Sequence, residues 1–429
     1  MPNAWSVVGF LLLAAVDSDS CVRPPPGPPS GFDLDFRLPT ALRPTHYDVH
    51  LTFNNKARRG WHEGLVSIEL DCVESTDRVV LHAYQLRVDA AFLESCGDGC
   101  SRVELRTSLD ENQQSLTLTH PSVSFEKGGS YRVSVAFAFR VRRRGRALDG
   151  GAFSSFRYLA VTQGEPIFIR RVIPCFDEPR FKATFSTRVD VDNLARTTYY
   201  AVSNGAILER KREGDRSTTL FKKTPPMSSY LFAFAIPSYF YRRGFSASSN
   251  SKPRSTGYGS NRFFARAVSK KVVKTVQHFN EYFGVSDPLE KIDWVFDYDF
   301  LAMENWGMIF GTAIKEVVAH EVAHSWFGNM VTCAFWDDVW LNEGFTSFAT
   351  ASSLTALGFG DSEAELLKIS ADTVKRYSNE PLPLSHMHFY GSPLNMFAAD
   401  TIIYTKGGAI ARMIAEMLGG VEVRAWAPT

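Results

Sequence analysis

The sequence predicts a multidomain chain, with a β-rich, sandwich-like N-terminal domain followed by a mixed α+β domain. Three observations carry this. The chain has 429 residues, enough for two or three hydrophobic cores. From about Leu38 to about Tyr241, apolar and polar residues alternate with the period of strands. Beyond the polar, Gly/Ser-rich stretch SASSNSKPRSTGYGSNR (Ser246–Arg262), the apolar spacing becomes that of helices. The expected division is a leader at 1–20, a linker at 21–37, the β domain at 38–241 and the second domain at 242–429.

The leader rests on VVGFLLLAAV (Val7–Val16), an apolar run followed by DSDS. Its ten residues rise only about 15 Å as a helix, half a bilayer core, so it suits a cleaved secretory signal and not a membrane span. RPPPGPPSG (Arg23–Gly31) then reads as an extended linker. In the β domain, HYDVHLTF, LVSIELDCV, SLTLTH and SYRVSVAFAFRV alternate apolar with polar residues and are rich in β-branched and aromatic types. Cys96 and Cys100 in CGDGC are candidates for a small disulfide-closed loop in an oxidising compartment. Two free thiols is the open alternative.

In the second domain, ARAVSKKVVKTVQHFNEYFG predicts a helix stopped by Gly284, and KIDWVFDYDFLAMENWGMIFG one or two strands. TAIKEVVAHEVAHSWFG predicts a helix capped by Thr312 and ended by Gly328, and DDVWLNEGFTSFATASSLTALG a second one opened by Asp337 or Asp338. Net charge is +1, with 45% hydrophobic and 22% charged residues, which argues against a nucleic-acid partner. Arg142, Arg143, Arg144 and Arg146 read as a solvated loop.

The chemistry concentrates in HEVAHSWFGN (His320–Asn329). Residues four apart share one helix face, so His320 and His324 point the same way and can hold one cation, with Glu321 about 100° round. Zinc catalysis wants three protein ligands, an open position and a base. Glu343 of WLNEGF, eighteen residues beyond His324, is the candidate third ligand from the next helix. Two imidazoles on an ordinary half-buried helix face is the competing reading.

HEVAHSWFGNMVT…WLNEGF resembles the HExxH-(x)18-E signature of the gluzincin, aminopeptidase N-like zinc metallopeptidases. LAMENWG (Leu301–Gly307) resembles that family's GAMENWG motif, and TQGEPIFIRRVIPCFDEPRFKATF (Thr162–Phe185) its TQxEP…PCFDEP segment. RLPTALRPTHYDVHL resembles its opening strand, and IIYTKGGAIARM (Ile402–Met413) its YSKG segment, so the likeness covers nearly the whole chain in family order. It implies a β-rich sandwich or saddle domain followed by a thermolysin-like zinc peptidase domain. One Zn2+ per chain would be bound by His320, His324 and Glu343. Glu321 would be the general base and Tyr404 would stabilise the oxyanion. Gln163, Glu165, Ala302, Met303 and Glu304 would bind a peptide with a free N-terminus, the carboxylates pairing with its α-ammonium.

Three departures qualify the likeness. Leu301 replaces the motif glycine and is expected to crowd the bound peptide. Only fifteen residues separate Glu304 from His320, a short internal deletion relative to the family, expected to displace Glu304 from the metal. The chain ends at VRAWAPT, so that, set beside the family, its catalytic domain is expected to be incomplete. The expected function is a zinc aminopeptidase of the secretory pathway, secreted or at the cell surface, with membrane association open. The alternatives are a catalytically impaired binding protein and a thermolysin-like endopeptidase, which needs no ammonium-binding carboxylates.

Overall fold

The computed structural model describes residues 36–54, 60–96, 100–143, 150–155, 157–192, 198–238, 244–246, 254–259, 261–296, 302–356, 358, 361–376 and 401–418. The leader, most of the linker, Cys21, Arg144, Arg146 and Leu301 lie outside them. The chain divides into two compact units, meeting in sequence at Arg243 and Gly244.

In the first unit, the strand Leu42–Phe53 buries Tyr47, Val49, Leu51 and Phe53 and turns Asp48 outward, as the alternation predicts. It pairs parallel with Lys182–Asp192 and antiparallel with Trp61–Cys72, within an 11-stranded sheet. A smaller, five-stranded sheet contains Tyr158–Gln163 between Gly151–Ser154 and Phe234–Pro237. Aromatic rings join the two sheets: Phe53 meets Phe234 edge-on at 5.3 Å, and Phe185 lies 5.4 Å from Phe232, which leads into the strand of Phe234. Cys96 and Cys100 are Cα partners where one hairpin turns, and their side chains lie outside the described residues. Cys72, Cys175 and Cys333 are buried.

The second unit has a five-stranded sheet in the order 244–246, 256–258, 293–295, 308–311, 302–303. Among the described residues, the 291–311 stretch thus yields three short strands where one or two were expected, the last two separated by the turn at 304–307. Its helices are α1 (Arg262–Phe283), α2 (Lys315–Ala323), α3 (Trp340–Ala356), α4 (Ser362–Arg376) and α5 (Gly407–Met417). α1 is capped by Asn261, whose side chain accepts from the Phe263 and Phe264 N–H groups, and is stopped by Gly284 at φ 68°.

Two expected caps are corrected. α2 begins after Ile314 with no side-chain cap, so Thr312 stays in the connection from the strand. Asp337 and Asp338 form a 3-10 turn, and α3 starts only at Trp340. α1 backs α2: Phe279 and Phe283 each place their rings 5.4 Å from that of Trp326, just past α2. Truncating a buried phenylalanine of this kind costs about 3–5 kcal/mol, so α1 is a structural support of the histidine helix. Among the described residues, no helix is long and apolar enough to cross a membrane.

Burial also sets an acid limit on the first unit. His62 packs against Phe53 at 5.1 Å and Phe139 at 5.8 Å, and burial pushes its pKa down to about 4. His82 is held well below the usual range by burial first and then by Arg170 and neighbouring arginines. Folding favours the neutral rings, so their contribution is complete above the unfolded pKa of about 6.5 and falls as pH drops towards 4. Thermal melts at pH 7 and pH 5 should show the midpoint falling, and His62→Phe should reduce that fall.

Candidate active site

α2 presents His320 in its last turn, and His324 follows immediately as its C-terminal cap, still in helical conformation. Glu343 enters from the first turn of α3. The three ligand atoms form a nearly equilateral triangle. His320 Nε2 and His324 Nε2 are 3.1 Å apart, and Glu343 Oε2 lies 3.2 Å from the first and 3.3 Å from the second. Ligands at the usual zinc distances of about 2.0–2.1 Å in a tetrahedron stand about 3.3–3.4 Å from one another, so the donor set fits the ion.

Outer contacts fix the donors. The His324 Nδ1–H group donates to the Phe327 carbonyl at 2.9 Å, which leaves the Nε2 lone pair facing the triangle. Thr346, one turn after Glu343, donates to the same carbonyl at 3.1 Å and lies 3.2 Å from His324 Nδ1. Sequence reasoning missed Thr346, although its i+3 spacing from Glu343 marks the same helix face.

Three buried carboxylates surround these imidazoles. Glu304, Glu321 and His324 bring one donor atom each within 4.8 Å of one another. Glu304 is 4% exposed and Glu321 6%. Burial pushes both carboxyls up, with His324 opposing and the neighbouring carboxylates adding. Burial likewise opposes ionisation of Glu343, yet His324 and His320 win and hold it down to about 2. His324 is itself driven well above its usual value, because Glu343, Glu304 and Glu321 outweigh its burial. The site therefore calls for compensating positive charge, which a divalent cation supplies.

The expected displacement of Glu304 does not occur. The strand 308–311 passes through only three residues, 312–314, into α2, and Glu304 still reaches the histidine. Strand 302–303 pairs with 308–311 and turns back through Gly307 at φ 88°. Met303 is buried at 1% exposure and Ala302 is half-buried. Lys291 donates to the Gly307 carbonyl at 2.9 Å while paired with Asp293, and Asn329 donates to the Glu304 carbonyl at 3.1 Å.

Tyr404 sits on a π-helical segment, Thr401–Lys406, half-buried, with its ring 5.7 Å from that of His320. It is thus beside one of the three candidate donors. Gly344 and Gly407 let this segment approach α3: a Cβ on Gly344 would stand 2.7 Å from the Gly407 carbonyl carbon.

Gln163 and Glu165 belong to the other unit and are buried, with Gln163 Nε2 donating to the Glu165 carbonyl at 3.3 Å. Their loop is set by Arg170, which is buried and pairs with Asp177 of PCFDEP at 2.9 Å. Ser229 donates to Asp177 at 3.1 Å. A Cβ on Gly164 would collide with the Tyr230 carbonyl, which explains the glycine in TQGEP.

Residues 43–231 match the peptidase M1 N-terminal domain, and residues 268–425 match the peptidase family M1 domain. The chain belongs to peptidase family M1. Among its M1 relatives is the alanine/arginine aminopeptidase of Saccharomyces cerevisiae, 30% identical over 89% of this chain and 46% of that protein. The puromycin-sensitive aminopeptidase of Caenorhabditis elegans is 32% identical over 75% of this chain and 36% of that one. The glutamyl aminopeptidase of Rattus norvegicus is 29% identical over 93% and 44% respectively. The chain spans less than half the length of these M1 relatives.

Thr346→Val should weaken zinc binding about 10–100-fold without unfolding the chain, as competition with a fluorescent chelator would show. Gly344→Ala should lower stability by about 1–3 kcal/mol in denaturant titration, because the α3–Gly407 contact has no room for a methyl group.

Proposed function

We propose that this chain is a zinc-dependent aminopeptidase that hydrolyses the N-terminal peptide bond of peptides with a free α-amine. The observation that supports it best is the grouping of a complete zinc donor set with two further buried carboxylates, Glu321 and Glu304. His320, His324 and Glu343 would hold the ion. Zinc bound there would polarise the scissile carbonyl as a Lewis acid and lower the pKa of a water molecule, so that a base can turn it into the attacking nucleophile.

The remaining roles fall to the protein's own groups. Glu321, buried beside His324, is suited to take the attacking water's proton and pass it to the departing amine as the C–N bond breaks. Tyr404, whose ring lies beside that of His320, would donate its hydroxyl to the oxyanion that develops on the substrate carbonyl. Glu304 would pair with the substrate ammonium and so count one residue from the chain end. We assign Gln163 and Glu165 to the same task on their place in TQGEP, and Ala302 and Met303 to the first substrate side chain. A carboxylate at Glu304's position favours this reading over an endopeptidase, whose substrate offers no ammonium there. The apolar run Val7–Val16 supports entry into the secretory pathway.

Zinc-loaded protein should release arylamine from amino-acid arylamides, lose the activity on chelation and regain it with zinc. Glu321→Gln should cut turnover by about 10²–10⁴-fold. N-acetylated substrates should resist cleavage. Equal cleavage of acetylated and free substrates would contradict the exopeptidase assignment.

A further inference from the structure

The chain leaving α2 does not continue as an α-helix. Asn329, Met330 and Val331 donate their backbone N–H groups five residues back, to His324, Ser325 and Trp326, at 3.0, 3.1 and 3.0 Å. This π-type turn pivots on Gly328, at φ 111°, and Thr332 Oγ1 donates to the Gly328 carbonyl at 2.6 Å. It carries Asn329 back under the histidines at 1% exposure. Asn329 thereby makes two bonds that join separate parts of the site. Its backbone N–H holds the carbonyl of His324, and its side-chain amide donates to the carbonyl of Glu304 at 3.1 Å. The other end of the Glu304 turn is held independently, by Lys291 on the Gly307 carbonyl at 2.9 Å and by the Trp306 indole against Asp287 at 3.5 Å.

We propose that Asn329 is a positioning residue that sets the separation between the metal-binding imidazoles and the Glu304 carboxylate, and so fixes where a substrate α-ammonium sits relative to the reacting carbonyl. The inference rests on the aminopeptidase reading and deepens it. The physical reason is economy of linkage. One buried side chain, one residue away from a left-handed glycine, ties the end of the histidine helix to the turn that carries Glu304. With that tie cut, Glu304 keeps only the strand pairing of Met303 with Phe310 and the hold on Gly307, while His324 keeps its own contacts with Phe327 and Thr346.

The test uses the full chain loaded with zinc, and calorimetry with alanine amide and N-acetylalanine amide as probes. Wild type should prefer the free amine. Asn329→Ala, and Asn329→Leu, which is of similar size and has no side-chain donor, should lower that preference by about tenfold or more, the effect of an unsatisfied buried acceptor. Both should keep one zinc per chain. On arylamides, KM should rise more than kcat falls. An unchanged free-amine preference in both variants, or loss of zinc along with it, would overturn the proposal. If wild type itself shows no preference between the probes, the amine-recognition reading fails before the role of Asn329 arises.

Discussion

The second unit is organised around an electrostatic demand: Glu304, Glu321 and Glu343 are buried around two imidazoles. Carboxylates removed from water must be paired, protonated or neutralised by a cation. The geometry favours the last. The three nearest donors form a triangle with sides of 3.1–3.3 Å, while Glu304 and Glu321 stand beside it. Two acids held outside the ligand set, in water-poor surroundings, are the arrangement in which one can move a proton and the other can recognise a charge.

Departures from regular helix build this arrangement. The residues following α2 bond five back and not four, which turns the chain under the histidines. Tyr404 lies on a second π-type segment, which brings its ring beside His320. Such segments cost backbone regularity and occur where a side chain must be redirected. The approach of α3 to the segment after Lys406 depends on Gly344 and Gly407, each presenting bare backbone to the other. Glu343 precedes one of these glycines and Tyr404 lies three residues before the second, so one close contact sets the distance between a candidate metal donor and the tyrosine.

Much of this is legible in the sequence. Period-two alternation located the sheet strands, since burial on one face imposes it directly: Tyr47, Val49, Leu51 and Phe53 are all inside. The i,i+4 histidines and the following WLNEGF located the donor triangle, because helical spacing fixes direction. The caps at Thr312 and Asp337 were misplaced because packing of the short 312–314 connection and of Trp336, not local hydrogen-bonding chemistry, decides where those helices begin. The short spacing between Glu304 and His320 suggested a broken site, yet a strand can hand over to a helix in three residues when a long-range bond such as Asn329 to Glu304 holds the partner in place. The bend that brings Asn329 there is invisible in the sequence, since backbone bonds with a period of five match neither helix nor strand.

The most direct test of the account is zinc K-edge X-ray absorption on the purified, metal-loaded chain. The account predicts a low-coordinate shell of nitrogen and oxygen at about 2.0–2.2 Å with two imidazole signatures, reduced to one in His320→Ala. A shell containing sulfur at about 2.3 Å, or an imidazole count unchanged by that substitution, would place the metal elsewhere and contradict it.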